Sequence, residues 1–255
     1  MNQSKVEATH RAEGAVLHLL LDAPRANILD DALLRGLSGA LERHLRPDVK
    51  VVVFEGVGPN FSCGASVAEH RAEQAPAMLA RFHGLFRQLA AQAVPTAALV
   101  RGYCLGGGLE LASWCTWVVA TPDASFGQPE IKLGVFPPMA SLLLPWRVGA
   151  GPALDLCVSG RTIGAIEAHR LGLVSAVAED PSAWWQAFFA EHIAATSAAA
   201  LRFAERAARV GLRATLDAHL PALERMYCDE LMKTHDANEG IAAFLEKRPA
   251  RFLDR

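Results

Sequence analysis

No uninterrupted apolar run in this chain approaches the roughly 20 residues needed to span a bilayer. The opening stretch, MNQSKVEATHRAEG, is polar and mixed in charge, without an apolar signal segment. Together these absences lead to the expectation of a cytoplasmic protein with no membrane partner. Charge of one sign is also missing: 25 Lys and Arg against 27 Asp and Glu give a formal net charge of -2. No basic stripe marks a nucleic-acid partner, so any anionic ligand must be held by a few placed groups. Cys63, Cys104, Cys115, Cys157 and Cys228 form no CxxC pair and no metal-finger spacing, and there is no HExxH. Neither a metal site nor a disulfide framework is expected, and the cysteines read as reduced, small core residues. The nine histidines form no nucleophile–base pattern, and there is no internal repeat or low-complexity segment.

What the chain does have is apolar material. Hydrophobic residues make up 51% of its 255 positions and charged residues 20%, enough for a substantial core. Strand-like runs AVLHLLL (15–21), VKVVVFEG (49–56), TAALV (96–100) and WVVAT (117–121) alternate with helical patterns over 28–46 and 73–92. That alternation with short connections predicts parallel pairing and an α/β core. After about residue 180 the pattern is helical throughout, which divides the chain into 1–180 and 181–255. In LPALERMYCDELM, Leu220, Leu223, Tyr227 and Leu231 fall on one helical face, and Asp236 with Glu239 reads as a capping box for the last helix. An apolar helical tail of this kind is either a lid or an oligomer surface.

One stretch is locally wasteful. VRGYCLGGGLELASWCTW (100–117) places three glycines before a helix and one carboxylate, Glu110, among apolar neighbours. Such a run lets a backbone approach a ligand closely, and a helix start offers unpaired N–H groups, as an oxyanion hole needs. Taken alone, the glycines fit a turn chosen for tight strand–helix packing slightly better. No GK[ST] follows, which excludes a phosphate loop, and Leu111 breaks a dinucleotide fingerprint. A second carboxylate, Glu130, lies in ASFGQPEIKLGVF, between apolar and turn residues. Two carboxylates facing one cleft would desolvate and repel one another, so that one keeps its proton near neutral pH. That provides an acid and a base in one pocket, as addition or removal of water requires. The small-residue turn NFSCGAS (60–66) offers a second backbone donor, read as the Cys63 N–H opposite that of Gly107.

APRANILDDAL, NFSCGAS, RGYCLGGGLELA, FGQPEIKLGVFP, SGRTIGAIEAHRLGLVSAV and EGIAAFLEKR, in that order over nearly the whole chain, resemble the crotonase (enoyl-CoA hydratase/isomerase) superfamily. The resemblance implies an α/β, crotonase-like spiral of β-β-α units with a C-terminal all-helical trimerisation region, giving a homotrimer or homohexamer. It implies a coenzyme A thioester as substrate and no separate cofactor. The thioester carbonyl would sit between Cys63 and Gly107, with Gly106 beside it. Arg25, Ala26 and the turn Gly64, Ala65, Ser66 would contact the CoA portion, and Phe244 and Lys247 its adenine and phosphates. Glu110 would take a proton from water and Glu130 deliver one to substrate carbon; keeping both favours a hydratase over an isomerase. His70 and His83 could approach such an acyl pocket, but the sequence does not place them. The chain departs from the family pattern at Ser66, where an aspartate is usual, and at FPPMAS, where a glycine-rich segment is usual. Proline fixes φ and lacks an N–H, so Pro137 and Pro138 build a different pocket wall. With FSxGASV and GQPEIKLGVF, this makes the chain most similar to hydratases of cyclic dienoyl-CoA thioesters.

Overall fold

The computed structural model describes residues 5–255, the Arg25 side chain excepted. The first elements are β1 (Lys5–Arg11), β2 (Val16–Asp22), the short α1 (Pro24–Asn27), α2 (Asp31–His44), β3 (Val51–Gly56) and α3 (Ala75–Gln92). There follow β4 (Thr96–Val100), β5 (Tyr103–Leu105), α4 (Gly107–Trp114), β6 (Trp117–Ala120), β7 (Ser125–Gly127), α5 (Pro138–Val148) and α6 (Ala150–Ser159). The core ends with β8 (Thr162–Gly164), α7 (Ala165–Arg170) and β9 (Ala176–Val177). From there on every element is helical: α8 (Pro181–His192), α9 (Ala198–Ala208), α10 (Val210–Arg225) and α11 (His235–Glu246). No helix among the described residues is long and apolar enough to cross a membrane.

The strands form a six-stranded sheet, ordered β1-β2-β3-β4-β6-β9, and a three-stranded sheet, ordered β5-β7-β8. From β2 to β9 the large sheet is parallel, as the alternating pattern predicts; only β1 runs antiparallel. Successive turns of chain visit the large sheet, then the small one, then a helix: β4, β5, α4 is one turn and β6, β7, α5 the next. The turn before them follows the same path in reduced form, because Ser62 makes a single bridge to Cys104 between β3 and α3. This is the expected spiral of β-β-α units.

Parallel strands are apolar on both faces because both are covered. Leu17, Leu19, Leu21, Val52 and Phe54 point into the main core with α2 and α3, whereas Val51, Val53, Ala97 and Leu99 pack against Trp185 and Phe189 of α8. β1 escapes a reading by hydrophobic pattern because it is an edge strand, alternately exposed and half-buried, whose inner face offers only Val6 and Ala8 to the core beside His10.

Three local expectations need correction. Thr234, not Asp236, caps α11, accepting from the Ala237 N–H at 3.2 Å. Asp236 and Glu239 instead hold the C-terminal tail: Asp236 accepts from the N–H groups of Leu253 and Asp254, and Glu239 from that of Arg251. The helical face through Leu220 and Tyr227 does not continue unbroken, because a π-helical turn over Met226–Glu230 interrupts it. Finally, only Cys104 and Cys115 are core residues; Cys63, Cys157 and Cys228 are half-buried.

α11 crosses the 3-10 turn Pro129–Leu133 so closely that a Cβ at Gly240 would lie 2.2 Å from the Leu133 carbonyl oxygen. In an open helix interior Gly→Ala gains about 0.5–1 kcal/mol, but here the clash is with backbone. Gly240→Ala is therefore expected to lower stability by about 1–3 kcal/mol. A thermal melt should show this as a drop of several degrees, at about 2–4 °C per kcal/mol for a chain of this size.

Candidate active site

Two backbone turns meet at the head of α4. Gly64 has φ +99° and Gly106 φ +50°, both in the region that favours glycine. A Cβ on Gly64 would touch the Leu105 carbonyl at 3.0 Å and lie 3.5 Å from the Gly107 nitrogen. A Cβ on Gly108 would meet Ser62 at 2.7 Å. The glycine run is thus required by the approach of the 62–65 turn to the start of α4. Asn27 and Ser62 fasten that turn: Asn27 Nδ2 donates to the carbonyls of Val57 and Asn60, and Ser62 Oγ donates to that of Asn27 while accepting from the Gly64 N–H.

This geometry changes one expectation. The Cys63 N–H donates to the Ala26 carbonyl at 3.0 Å, so it is spent inside the chain and is not an oxyanion donor. The positive φ of Gly64 turns the next peptide inward instead. A Cβ on Gly107 would lie 3.2 Å from the Ala65 nitrogen, and the Ala65 N–H takes no acceptor among the described residues. The N–H that faces the head of α4 is Ala65's.

Both glutamates come to the same place. Glu110 lies one turn into α4, 5% exposed, and its Oε1 accepts from the Ala140 N–H at 2.6 Å. Pro137 and Pro138 bring no N–H to the start of α5, and Ala140 supplies the first that Glu110 uses. Glu130, on the 3-10 turn after β7, rests against Gly106, where a Cβ would lie 2.7 Å from its Oε1. With the Gln128 amide oriented as its neighbours demand, its nitrogen donates to both Glu130 oxygens at 3.0 Å.

Burial raises Glu110 from its ordinary 4.5 to about 7, held back by the Ala140 N–H. Glu130 rises well above the ordinary value, first through burial and then through the charge of Glu110. Near neutrality Glu110 can shed its proton while Glu130 keeps one. The neighbouring Cys157 thiol is pushed up to about 12 by burial and both carboxylates, so it stays neutral.

The other expected residues divide into two groups. Ala26, Gly64, Ala65, Ser66, Gly106, Pro137 and Pro138 all lie on the segments that meet at the head of α4, and the side chain of Arg25 lies outside the described residues. Phe244 and Lys247, by contrast, sit exposed at the far end of α11. Phe244 lies one helical turn beyond Gly240, the residue packed against Leu133 of the Glu130 turn, and Lys247 ends the helix. His70 is held by the Ser66 carbonyl at 2.8 Å, and His83 by Glu224 at 2.7 Å. A cavity of about 770 Å³ lies elsewhere, on the opposite face of the large sheet beside α8, lined by His18, Lys50, Trp185 and Phe189. Its carboxylates, Glu13 and Asp48, are both exposed, Asp48 paired with Arg46, so its size alone carries no chemistry.

Sequence reasoning missed Asn27, Ser62, Gln128 and Ala140. The first three stand inside the quoted motifs and carry side-chain amides or a hydroxyl that loops of this kind need. Ala140 acts through its backbone and leaves no mark in residue type.

The Glu110 shift has a consequence for stability. Its native value lies above the unfolded one, so the native state loses stability as pH rises from 4.5 through about 7. Glu110→Gln keeps the shape and the acceptor oxygen but escapes that loss. Above the upper bound the variant should be more stable than the parent by about 3 kcal/mol, and below the lower bound the difference should vanish. Melting temperatures across that pH range measure it.

The comparisons with known proteins agree with this geometry. Residues 11–255 match the family described as enoyl-CoA hydratase/isomerase. Over 244 residues the chain is 49% identical to the cyclohexa-1,5-dienecarbonyl-CoA hydratase of Thauera aromatica, covering 95% of each chain. It is 34% identical to the crotonyl-CoA hydratase of Syntrophomonas wolfei, over 93% of this chain and 94% of that one. The crystal structure of an enoyl-CoA hydratase from Mycobacterium avium subsp. paratuberculosis superposes with a TM-score of 0.85 at 26% identity, covering 99% of this chain and 100% of the other. With a spiral fold, paired glutamates and matching motifs along its length, the chain belongs to the enoyl-CoA hydratase/isomerase family and is an enzyme of the hydro-lyase type.

Proposed function

We propose that the protein hydrates a cyclic dienoyl thioester, converting cyclohexa-1,5-diene-1-carbonyl-CoA to 6-hydroxycyclohex-1-ene-1-carbonyl-CoA in anaerobic benzoyl-CoA degradation. The carrying observation is the pair of glutamates at the head of α4, one poised to lose a proton near neutrality and the other holding it. The 49% identity to a hydratase of that name supports the ring substrate over a straight chain, as does the proline wall where the family pattern has glycines.

In this reading the thioester carbonyl oxygen lies between the N–H groups of Ala65 and Gly107. Glu110 takes one proton from water, and the hydroxide oxygen bonds to the ring carbon β to the thioester. The electron pair displaced from the double bond flows to the carbonyl oxygen, where the two amides stabilise it; one such donor is worth about 2.7–4 kcal/mol in other enzymes. Glu130 then returns a proton to the far carbon of the dienolate, leaving one conjugated double bond. Transfer of the proton from Glu110 to Glu130 restores the pair, so one water is added and nothing else is consumed. No cofactor takes part, coenzyme A being a portion of the substrate. Exposed Trp146, Leu154, Val158, Ile166, Phe203 and Val210 suit burial in a homotrimer or homohexamer, where Phe244 and Lys247 of one chain would serve the CoA of another.

A panel of thioesters followed by enoyl absorbance tests the reading. The cyclic diene should be turned over with the highest kcat/KM; a preference for crotonyl-CoA or cyclohexenoyl-CoA would replace it with a general or cyclohexenoyl-CoA hydratase. Glu110→Gln and Glu130→Gln should each lose roughly 10²–10⁴-fold in kcat while still binding CoA esters. Near-normal turnover in either would remove that residue from its role, and no turnover of any thioester by the parent would leave a non-catalytic acyl-CoA binder. In the parent, kcat/KM should rise as pH passes through about 7, where Glu110 ionises, and fall only above the higher value of Glu130.

A further inference from the structure

α4 carries Gly107 at its start and Glu110 one turn in, yet no side chain caps it there. A capping side chain would cover the first N–H groups, which must stay open to a substrate oxygen. The helix is held from its other end instead, where two guanidinium groups converge. Arg209 donates to the Trp114 carbonyl at 2.6 Å and lies over the Trp114 ring, 4.6 Å from its centroid. Arg147, near the end of α5, donates from Nη1 to the Cys115 and Thr116 carbonyls at 2.9 and 3.4 Å. Its Nε and Nη2 both donate to the Leu173 carbonyl, at 3.3 and 3.2 Å. Arg209 has Glu205 as its counter-ion, whereas Arg147 has no carboxylate partner among the described residues.

A second cation beside Arg209, without a carboxylate of its own, is costly where it is partly desolvated. Arg209 already complements the end of α4, so capping does not require Arg147. What Arg147 adds is a cross-link. α4 and α5 pack together and are bonded twice: near their starts by the Ala140 N–H to Glu110 Oε1 at 2.6 Å, and at their ends by Arg147. We propose that Arg147 is a positioning residue for Glu110: by fixing the end of α5 to the end of α4 it keeps the Ala140 N–H on the carboxylate. This role rests on Glu110 acting as the base. Two turns of helix separate Ala140 from Arg147, so release at the far end lets α5 pivot and the near bond lengthen. That bond is the contact that holds Glu110 down against burial. Glu130 and the Cys157 thiol of α6 also face Glu110, and Arg209, with its partner Glu205, and Cys115 face Arg147. Both thiols are pushed up to about 12, by burial first, and stay neutral.

The test is carboxyl NMR of protein labelled at glutamate, without substrate, with the Glu110 signal assigned by its loss in Glu110→Gln. In Arg147→Met, which fills much of the same space with no donor, Glu110 should titrate higher by roughly one pH unit. Arg209→Met removes an equal charge from the same helix end but no link to α5, and should move that titration less than half as far. With whichever thioester the parent hydrates, Arg147→Met should lower kcat about tenfold and leave KM within about twofold. Both variants should melt below the parent, so the titration and the kcat decide. Should Arg147→Met not fold, Arg147→Lys, which keeps the charge but not the fork, should shift both readings in the same direction by less. An unmoved Glu110 titration or an unchanged kcat in the folded Arg147 variant would overturn the proposal and mark a packing residue. Equal shifts from the two arginines would overturn it in favour of charge at the helix end. The base role of Glu110 is decided separately, by turnover in Glu110→Gln, and the ring substrate by the thioester panel.

Discussion

Two carboxylates pressed into one desolvated notch resist being charged together near neutral pH, and the local structure around the head of α4 is organised about that constraint. Glu110 is stabilised as a carboxylate by the start of α5, through the Ala140 N–H. Glu130 has the Gln128 amide but also the field of its neighbour, which pushes it toward the protonated form. The asymmetry comes from which backbone each side chain faces, because the two residues are chemically identical. An acid and a base therefore coexist at one pH.

The spiral fold supplies the positions. Each turn of chain leaves the large sheet, touches the small one and returns through a helix, so the loops after β3, β5 and β7 arrive at one place. The loop after β3 brings the Ala65 N–H, the one after β5 opens α4 with Gly107 and Glu110, and the one after β7 carries Glu130. Close approach of these loops excludes side chains at Gly64, Gly106 and Gly108, which is why the glycines cluster where they weaken local structure most. α11 then braces the Glu130 turn from outside through Gly240 and Leu133.

Much of this was legible in the sequence, for identifiable reasons. The strands β2, β3, β4 and β6 are continuous apolar runs because both faces are covered. The strands β5, β7 and β8 are three residues each, too short to show a period. Glu110, Glu130 and Gly107 stand out because carboxylates and glycines are costly in apolar surroundings. The assignment of an oxyanion donor to Cys63 failed because the N–H a turn presents depends on the φ of Gly64, not on residue type. Ala140 contributes only a backbone N–H and was invisible. Phe244 and Lys247 were placed by family resemblance, and both are exposed at the end of α11.

The central claim is that the resting pair holds one proton, and holds it on Glu130. Neutron diffraction from deuterated crystals grown about one pH unit above the Glu110 midpoint would show this directly. The account predicts a deuteron on the Glu130 carboxyl and none on Glu110. Deuterons on both, on neither, or on Glu110 alone would contradict it.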